Sequence, residues 1–319
     1  MTMRELAKLC NVSVSTVSKA FLEADDVSED TKKHIFDIAK KNGCYGKFYK
    51  GKYHKKIIAI ICPELEGLYY TSYINQLKKL MEKSDCICLV STDDFSASKQ
   101  AELIEYYASY LKVDGLIVFG FKTDLKKGYD IPIVSMLSGK NDYVDSVRTD
   151  LRSAIFEAVE TMIFYGHKKI AFLCEELTSG KCEIFEESIK RYKKCEYTII
   201  KSKERFEKAG VDGVRQLLDN KTDFTALVCA YDNIAFGAIK QLKKSGLKVP
   251  EDVSVVGIDN ITTSEYAETS LTTIDTKVDE ICGIAWDLMM KKLENKYYKS
   301  KQNVIIKSKL IIRESIRKI

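Results

Sequence analysis

Three histidines in 319 residues, with no HExxH run, no paired CxxC and no GxxxxGKS/T loop, leave the sequence without a zinc signature, a redox pair or a nucleotide-phosphate cradle. His34 falls on a helical stretch, His54 in a basic segment, and His167 in a YGH turn that reads as structural. Cys86 and Cys88 share a strand face but lack further spaced ligands. Asp93 and Asp94, at a strand end, are the best general-base candidates; without a partner nucleophile they read as ligand or capping residues. No catalytic residue, metal or cofactor is therefore expected. Also missing is any apolar run approaching ~18 residues, which argues against a membrane-spanning helix. The opening MTMRELAKLC places Arg4, Glu5 and Lys8 where a signal peptide needs apolar residues, so a cytoplasmic protein is expected. Hydrophobic residues make up 45 % and charged residues 30 %, which argues against disorder, collagen and coiled coil. The ten cysteines lie scattered through apolar runs, as buried free thiols do. At roughly 150 residues per domain, the length predicts two lobes and something smaller.

Charge is unevenly placed. Residues 1–56 hold 12 Lys and Arg against 7 Asp and Glu, whereas residues 57–319 balance at 39 each. Residues 40–56 carry seven lysines and no acid, interleaved with Tyr45, Phe48, Tyr49 and Tyr53. Such a segment suits a polyanion, because each lysine that neutralises a phosphate releases counterions; a solvated linker would look the same.

Residues 1 to about 42 predict three short helices. Thr2 is a candidate cap for the first and Ser28 for the third, whose Glu29 and Asp30 oppose the positive end of the helix dipole. Between them, Val12-Ser13-Val14-Ser15 alternates like a strand, yet Val17, Ala20 and Phe21 recur at helical spacing and Ser13 is a good cap, so a helix is expected. From residue 57, short apolar runs (57–62, 86–91, 115–119, 133–136, 170–173, 226–229, 253–258) alternate with amphipathic ones (73–83, 99–111, 151–164, 232–245, 279–293). That pattern predicts an α/β core of two doubly wound lobes behind an all-α helix-turn-helix headpiece, with ligands at the carboxyl ends of the strands. In the headpiece, Val14, Ser15 and Lys19 form one outward arc, able to meet a thymine methyl, a base edge and guanine respectively. An ordinary small helical subdomain has the same spacing.

The chain resembles, end to end, a lactose-repressor-type (LacI/GalR family) bacterial transcription regulator. The resemblance is carried by RELAKLCNVSVSTVSKAF at 4–21, VSEDTKKHIFDIAKKNG at 27–43, VDGLIVFG at 113–120, YGHKKIAFL at 165–173, AYDNIAFGAIKQLKKSGLKVPEDVSVVGIDN at 230–260, SLTTID at 270–275 and IIRES at 311–315. It implies a headpiece (1–45) on operator DNA, a basic hinge (46–56), and a periplasmic-binding-protein-like core (57–319) that binds a small effector, forms a homodimer and performs no chemistry. Carried over by position, Val14, Ser15 and Lys19 face bases, while Ser13, Thr16 and Ser18 contact phosphates or cap. Lys19 replaces a usual arginine and Leu22 a usual asparagine. The linker YGKFYKGKYHKK lacks the family's proline-asparagine step, its Ala-Arg pair and its minor-groove leucine. Lys47, Lys50 and Lys52 are expected to anchor the operator centre, with Phe48 or Tyr49 as a substitute wedge; Gly46 and Gly51 disfavour a hinge helix without DNA.

For the effector, the resemblance points to Asp150 and Asp259 as acceptors, to Lys181 in place of a clamping arginine, to Tyr231 and Thr276 in place of amides, and to Tyr69 and Tyr70 as an aromatic wall. Carboxylates between aromatic walls suit a sugar or other polyol, although a purine or another amine stays open. Asp232, between a strand and a helix, reads preferentially as an N-cap. The expected function is transcriptional regulation, with repression foremost; a small-molecule-binding protein that has lost operator binding is the alternative, and an enzyme lacks its machinery. The helix around Tyr73–Lys83 is the expected dimer surface.

Overall fold

The computed structural model describes residues 1–49, 55–122, 129–137, 143–295 and 300–319. It divides into two compact units, Met1–Lys56 and Ile57–Ile319. The expected anchors Lys50 and Lys52, with His54, lie outside the described residues.

In the first unit, three helices follow their caps. Helix α1 (Met3–Leu9) opens on a capping box in which the Glu5 N–H donates to Thr2 Oγ1 and the Thr2 N–H donates to the Glu5 carboxylate. Asn11 takes the left-handed turn at φ 53°, and α2 (Val14–Phe21) starts where the Thr16 N–H donates to Ser13 Oγ at 3.0 Å. Capping thus outweighs the strand-like alternation of Val12 to Ser15. Helix α3 (Glu29–Lys41) is capped by Ser28. Leu6, Val17, Ala20, Ile35 and Ala39 are fully buried where the three meet. A fourth, single-turn helix, α4 (Tyr45–Phe48), closes this core. Phe48 is 9 % exposed with its ring 5.7 Å from that of Phe21, and Tyr49 stacks on Tyr45 at 5.0 Å while its hydroxyl donates to Glu23. The headpiece core therefore runs past residue 45, and Phe48 is a core residue rather than a free wedge, because burying its ring is worth more than leaving it in water.

The second unit holds two six-stranded sheets. The first uses β1 (Lys56–Cys62), β2 (Cys86–Thr92), β3 (Gly115–Phe119), β4 (Ile133–Met136), β5 (Asp145–Thr149) and β11 (Asn303–Ile306), in the order β11-β5-β4-β3-β1-β2. The second uses β6 (Lys169–Glu175), β7 (Glu196–Ser202), β8 (Ala226–Cys229), β9 (Ser254–Asp259), β10 (Thr272–Asp275) and β12 (Lys309–Ile311), in the order β12-β10-β9-β8-β6-β7, with only the β10–β12 pair antiparallel in that sheet's register. Burial on both faces explains the continuous apolar runs. Ile58, Ile60 and Cys62 point towards α5 (Leu68–Lys83) and α12 (Val278–Glu294), whereas Ala59 and Ile61 point towards Ile104 of α6 (Ala97–Glu105). Around the second sheet lie α7 (Leu151–Phe164), α8 (Ser179–Ile189), α9 (Phe206–Asp219), α10 (Asp232–Lys244) and the short α11 (Thr263–Tyr266). The chain crosses between lobes three times, from β5 to α7, from β10 to α12 and from β11 to β12. The Asp150 N–H donates to the Ile306 carbonyl at 2.8 Å, tying the first crossing to the third.

His167 is structural, bonded to Thr225 Oγ1 at 3.0 Å and to the Arg317 carbonyl at 3.1 Å. Asp93 is fully buried and accepts from the Phe95 N–H and from Gln100, so it shapes the turn after β2.

Candidate functional site

The first unit offers one outward helix face. Val14, Ser15 and Lys19 of α2 are exposed, Val14 at 41 %, with Thr16 and Ser18 half-buried beside them. Inward-pointing Val17, Ala20 and Phe21 fix this orientation, since a 3.6-residue repeat that buries one stripe must expose the other. Ser13 and Thr16 hydroxyls bond each other at 2.8 Å at the N-terminus, where unpaired N–H groups favour an anion. Lys19 is ion-paired with Asp26, a partner the spacing alone does not reveal. Lys47 donates to the Met1 carbonyl at 3.1 Å and so packs along the headpiece.

The second unit contains a cleft of about 430 Å³, formed at the carboxyl ends of strands from both sheets. Tyr69, Tyr70, Lys181, Tyr231 and Asp259 all line it. Two expected residues are not among its lining. Asp150 caps α7, accepting from the N–H and hydroxyl of Ser153, which lowers its pKa. Thr276 is 2 % exposed and accepts from the Tyr73 hydroxyl at 3.2 Å. Asp232 is likewise not an N-cap. Its fully buried carboxylate accepts from the Ile261 N–H and from the Ser264 and Thr273 hydroxyls, pinning α10 to the segments after β9 and in β10. Burial raises its pKa to about 6, against the pull of those donors.

Asp259, 6 % exposed, ends β9 at φ 116°, a conformation that side-chain-bearing residues seldom adopt. Its neighbour Asn260 is held by Arg313 at 2.8 Å and by Thr273, which fixes where the carboxylate points. Lys181 Nζ donates to the Ala230 carbonyl at 2.6 Å and stands 3.9 Å from Asp259. Burial pushes the Asp259 carboxyl up to about 8; Lys181 opposes the rise and Asp232 adds to it.

Sequence reasoning missed the cleft's strongest contact. Arg205, just before α9, donates twice to Glu64, just after β1, at 2.8 and 2.9 Å, a fork joining one lobe to the other. The Phe206 ring lies beside Gly67 at the start of α5, so closely that a Cβ on Gly67 would meet it at 2.8 Å. The Phe206 N–H donates to the Tyr231 hydroxyl at 2.9 Å. Nothing local to Glu64 or Arg205 signals a partner 141 positions away. Truncating Arg205 to alanine is expected to weaken lobe closure by about 2 kcal/mol, the low end for a charge pair losing one partner, because a third of the side chain stays wet. Small-angle scattering should show a larger radius of gyration for R205A, and an unchanged radius would count against the bridge as a closing contact.

A helix-turn-helix unit joined to a two-lobed α/β unit with a polar cleft defines a DNA-binding sensor class by architecture. Comparison with known proteins agrees. Residues 2–44 match the description "Bacterial regulatory proteins, lacI family" and residues 159–316 match "Periplasmic binding protein-like domain". The two matches give a lacI-family helix-turn-helix domain followed by a periplasmic-binding-protein-like domain. It is 26 % identical to the HTH-type transcriptional repressor CytR of Escherichia coli K12, covering 99 % of this chain and 96 % of that one. It is 28 % identical to the repressor PurR of Haemophilus influenzae strain ATCC 51907, over 100 % and 99 %. In fold, it is similar to the lac repressor dimer bound to operator and the anti-inducer ONPF, with TM-score 0.76 and 19 % identity over 99 % of both chains. A lacI-family regulator from Enterococcus faecium with bound ribose gives TM-score 0.72 and 22 % identity over 83 % of this chain and 100 % of that one. Among the described residues, no helix is long and apolar enough to cross a membrane.

Proposed function

We propose that the protein is a cytoplasmic transcriptional repressor that binds a pseudo-palindromic operator as a homodimer and responds to a small effector held between its lobes. The observation that carries this reading is the presence, in one chain, of an exposed α2 arc of Val14, Ser15 and Lys19 and of a cleft lined by buried polar atoms that lack a hydrogen-bond partner among the described residues. Ser13, Thr16 and Ser18 hold phosphates in this scheme, while Lys47 and the linker lysines Lys50 and Lys52 add salt-dependent attraction at the operator centre. Tyr69, Tyr70, Lys181, Tyr231 and Asp259 serve the effector, a sugar or related metabolite. Asp150 and Thr276 act from behind, at the crossings whose geometry changes when the lobes move. The similarity to the repressors CytR and PurR, and in fold to a lac repressor bound to operator and a regulator with bound ribose, supports the reading.

Selection of duplexes from a random library by the full chain, with residues 57–319 as control, tests it. A palindrome retained only by the full chain is expected. Lys19→Ala should cost about 1–3 kcal/mol at one base position of each half-site. No enrichment at low salt would overturn operator binding and leave a ligand-binding protein.

A further inference from the structure

The charges around the cleft do not balance. Glu64, Glu66, Glu175 and Asp259 face it against Lys181 and Arg205. Arg205 is spent on Glu64, and the Lys181 ammonium on the Ala230 carbonyl. Glu175 and Asp259 are 3 % and 6 % exposed, and Glu175 Oε2 and Asp259 Oδ1 have no hydrogen-bond partner among the described residues. Their nearest cations are beyond hydrogen-bond reach: Arg205 Nε is 3.6 Å from Glu175, and Lys181 Nζ is 3.9 Å from Asp259. Arg205 Nε is itself buried with no hydrogen-bond acceptor among the described residues.

We propose that the cleft takes a cationic ligand, a compact hydroxylated amine, in preference to a neutral polyol. The ammonium sits between Asp259 and Glu175, and a ligand hydroxyl accepts from Arg205 Nε. The inference rests on the reading of the cleft as the effector site and names its chemical class. A neutral ligand would supply no counter-charge to the buried Glu175 and Asp259, so the cost of their burial would go uncompensated. An ammonium supplies both the charge and the donors. The walls suit it as well: the Arg205 guanidinium already lies 4.6 Å from the centre of the Phe206 ring and 5.7 Å from that of Phe95, and Tyr69 and Tyr231 offer further ring faces. Burial disfavours the charged form of Asp259, and a ligand cation beside it would oppose that effect as Lys181 already does.

The test is titration calorimetry of the full chain with matched pairs: glucosamine and glucose, galactosamine and galactose, putrescine and 1,4-butanediol. At least one amine is expected to bind ten times or more tightly than its neutral partner, and the ratio should fall towards one in Asp259→Asn. Glu175→Gln provides a second variant, and the melting transition of the second unit reports whether each variant is folded. Neutral members binding equally or better would overturn the cation preference and leave the effector reading standing. A ratio unchanged in both variants would place the preference elsewhere and overturn it as well. No heat from any member would count against both the preference and the effector reading, while operator selection tests DNA binding independently.

Discussion

Phe21→Ala should abolish specific duplex binding by unfolding the first unit, while the second keeps its own melting transition. Phe21 is 2 % exposed, with the rings of Phe36, Phe48 and Tyr45 at 5.2, 5.7 and 5.8 Å. Removing a buried phenylalanine costs about 3–5 kcal/mol, and a core of this size supplies only about 3–5 kcal/mol in total. The loss therefore matches the whole stability of the unit. It is also placed at the last residue of the helix whose outer face is proposed to read DNA, so no partial fold can present that face. Calorimetry of the full chain should show the first unit's transition gone, and binding assays should show only weak, salt-sensitive attraction. Duplex affinity within threefold of the parent would refute the dependence.

A single methyl group in the second unit should be nearly as damaging. In Gly237→Ala, the new Cβ would lie 1.9 Å from the Glu207 carbonyl oxygen; at Gly210, it would lie 2.0 Å from that of Ile234. Helices α9 and α10 thus meet backbone to backbone, and neither neighbour is a side chain that can turn aside. Forcing them apart costs about 3 kcal/mol and moves two walls of the cleft together, because α9 begins at Phe206 and α10 follows Tyr231. Gly283→Ala is the matched control: nothing lies within 4 Å of its would-be Cβ, and an alanine inside α12 should add about 0.5–1 kcal/mol. Equal melting temperatures for the two variants would contradict the close crossing.

The same glycines show why part of the fold was hard to read. Gly210 and Gly213 lower the helical signal of 206–219, and their role appears only when α10 is laid against them. Strand β5 was hidden for the opposite reason. Its polar Asp145 and Ser146 read as loop, yet Asp145 accepts from the Gln302 N–H and pairs with Lys292, and Ser146 bonds Asn303, all supplied from more than 140 positions away. Segments whose partners are local were legible. The caps Thr2, Ser13 and Ser28, the three headpiece helices and the apolar strands β3, β4 and β8 follow from neighbouring residues. In the cleft, Asp259 and Tyr231 follow strand ends and could be read, whereas the Glu64–Arg205 bridge depends on two lobes meeting. Asp232 misled because a carboxylate at a helix start has two uses, and only burial chooses between them.

The three crossings also set an order of assembly. The first lobe's sheet is completed by β11, residues 303–306, and by α12, both made after nearly all of the second lobe. A ribosome that has reached residue 275 has therefore made five of the second sheet's six strands, β6 to β10, while β5 still waits for its outer neighbour β11. The lobe encoded first is completed only when nearly the whole chain has been made, just before β12 completes the second. Until the tail arrives, Asp145 lacks both Gln302 and Lys292, so a nascent chain carries its least settled edge in the part it made earliest.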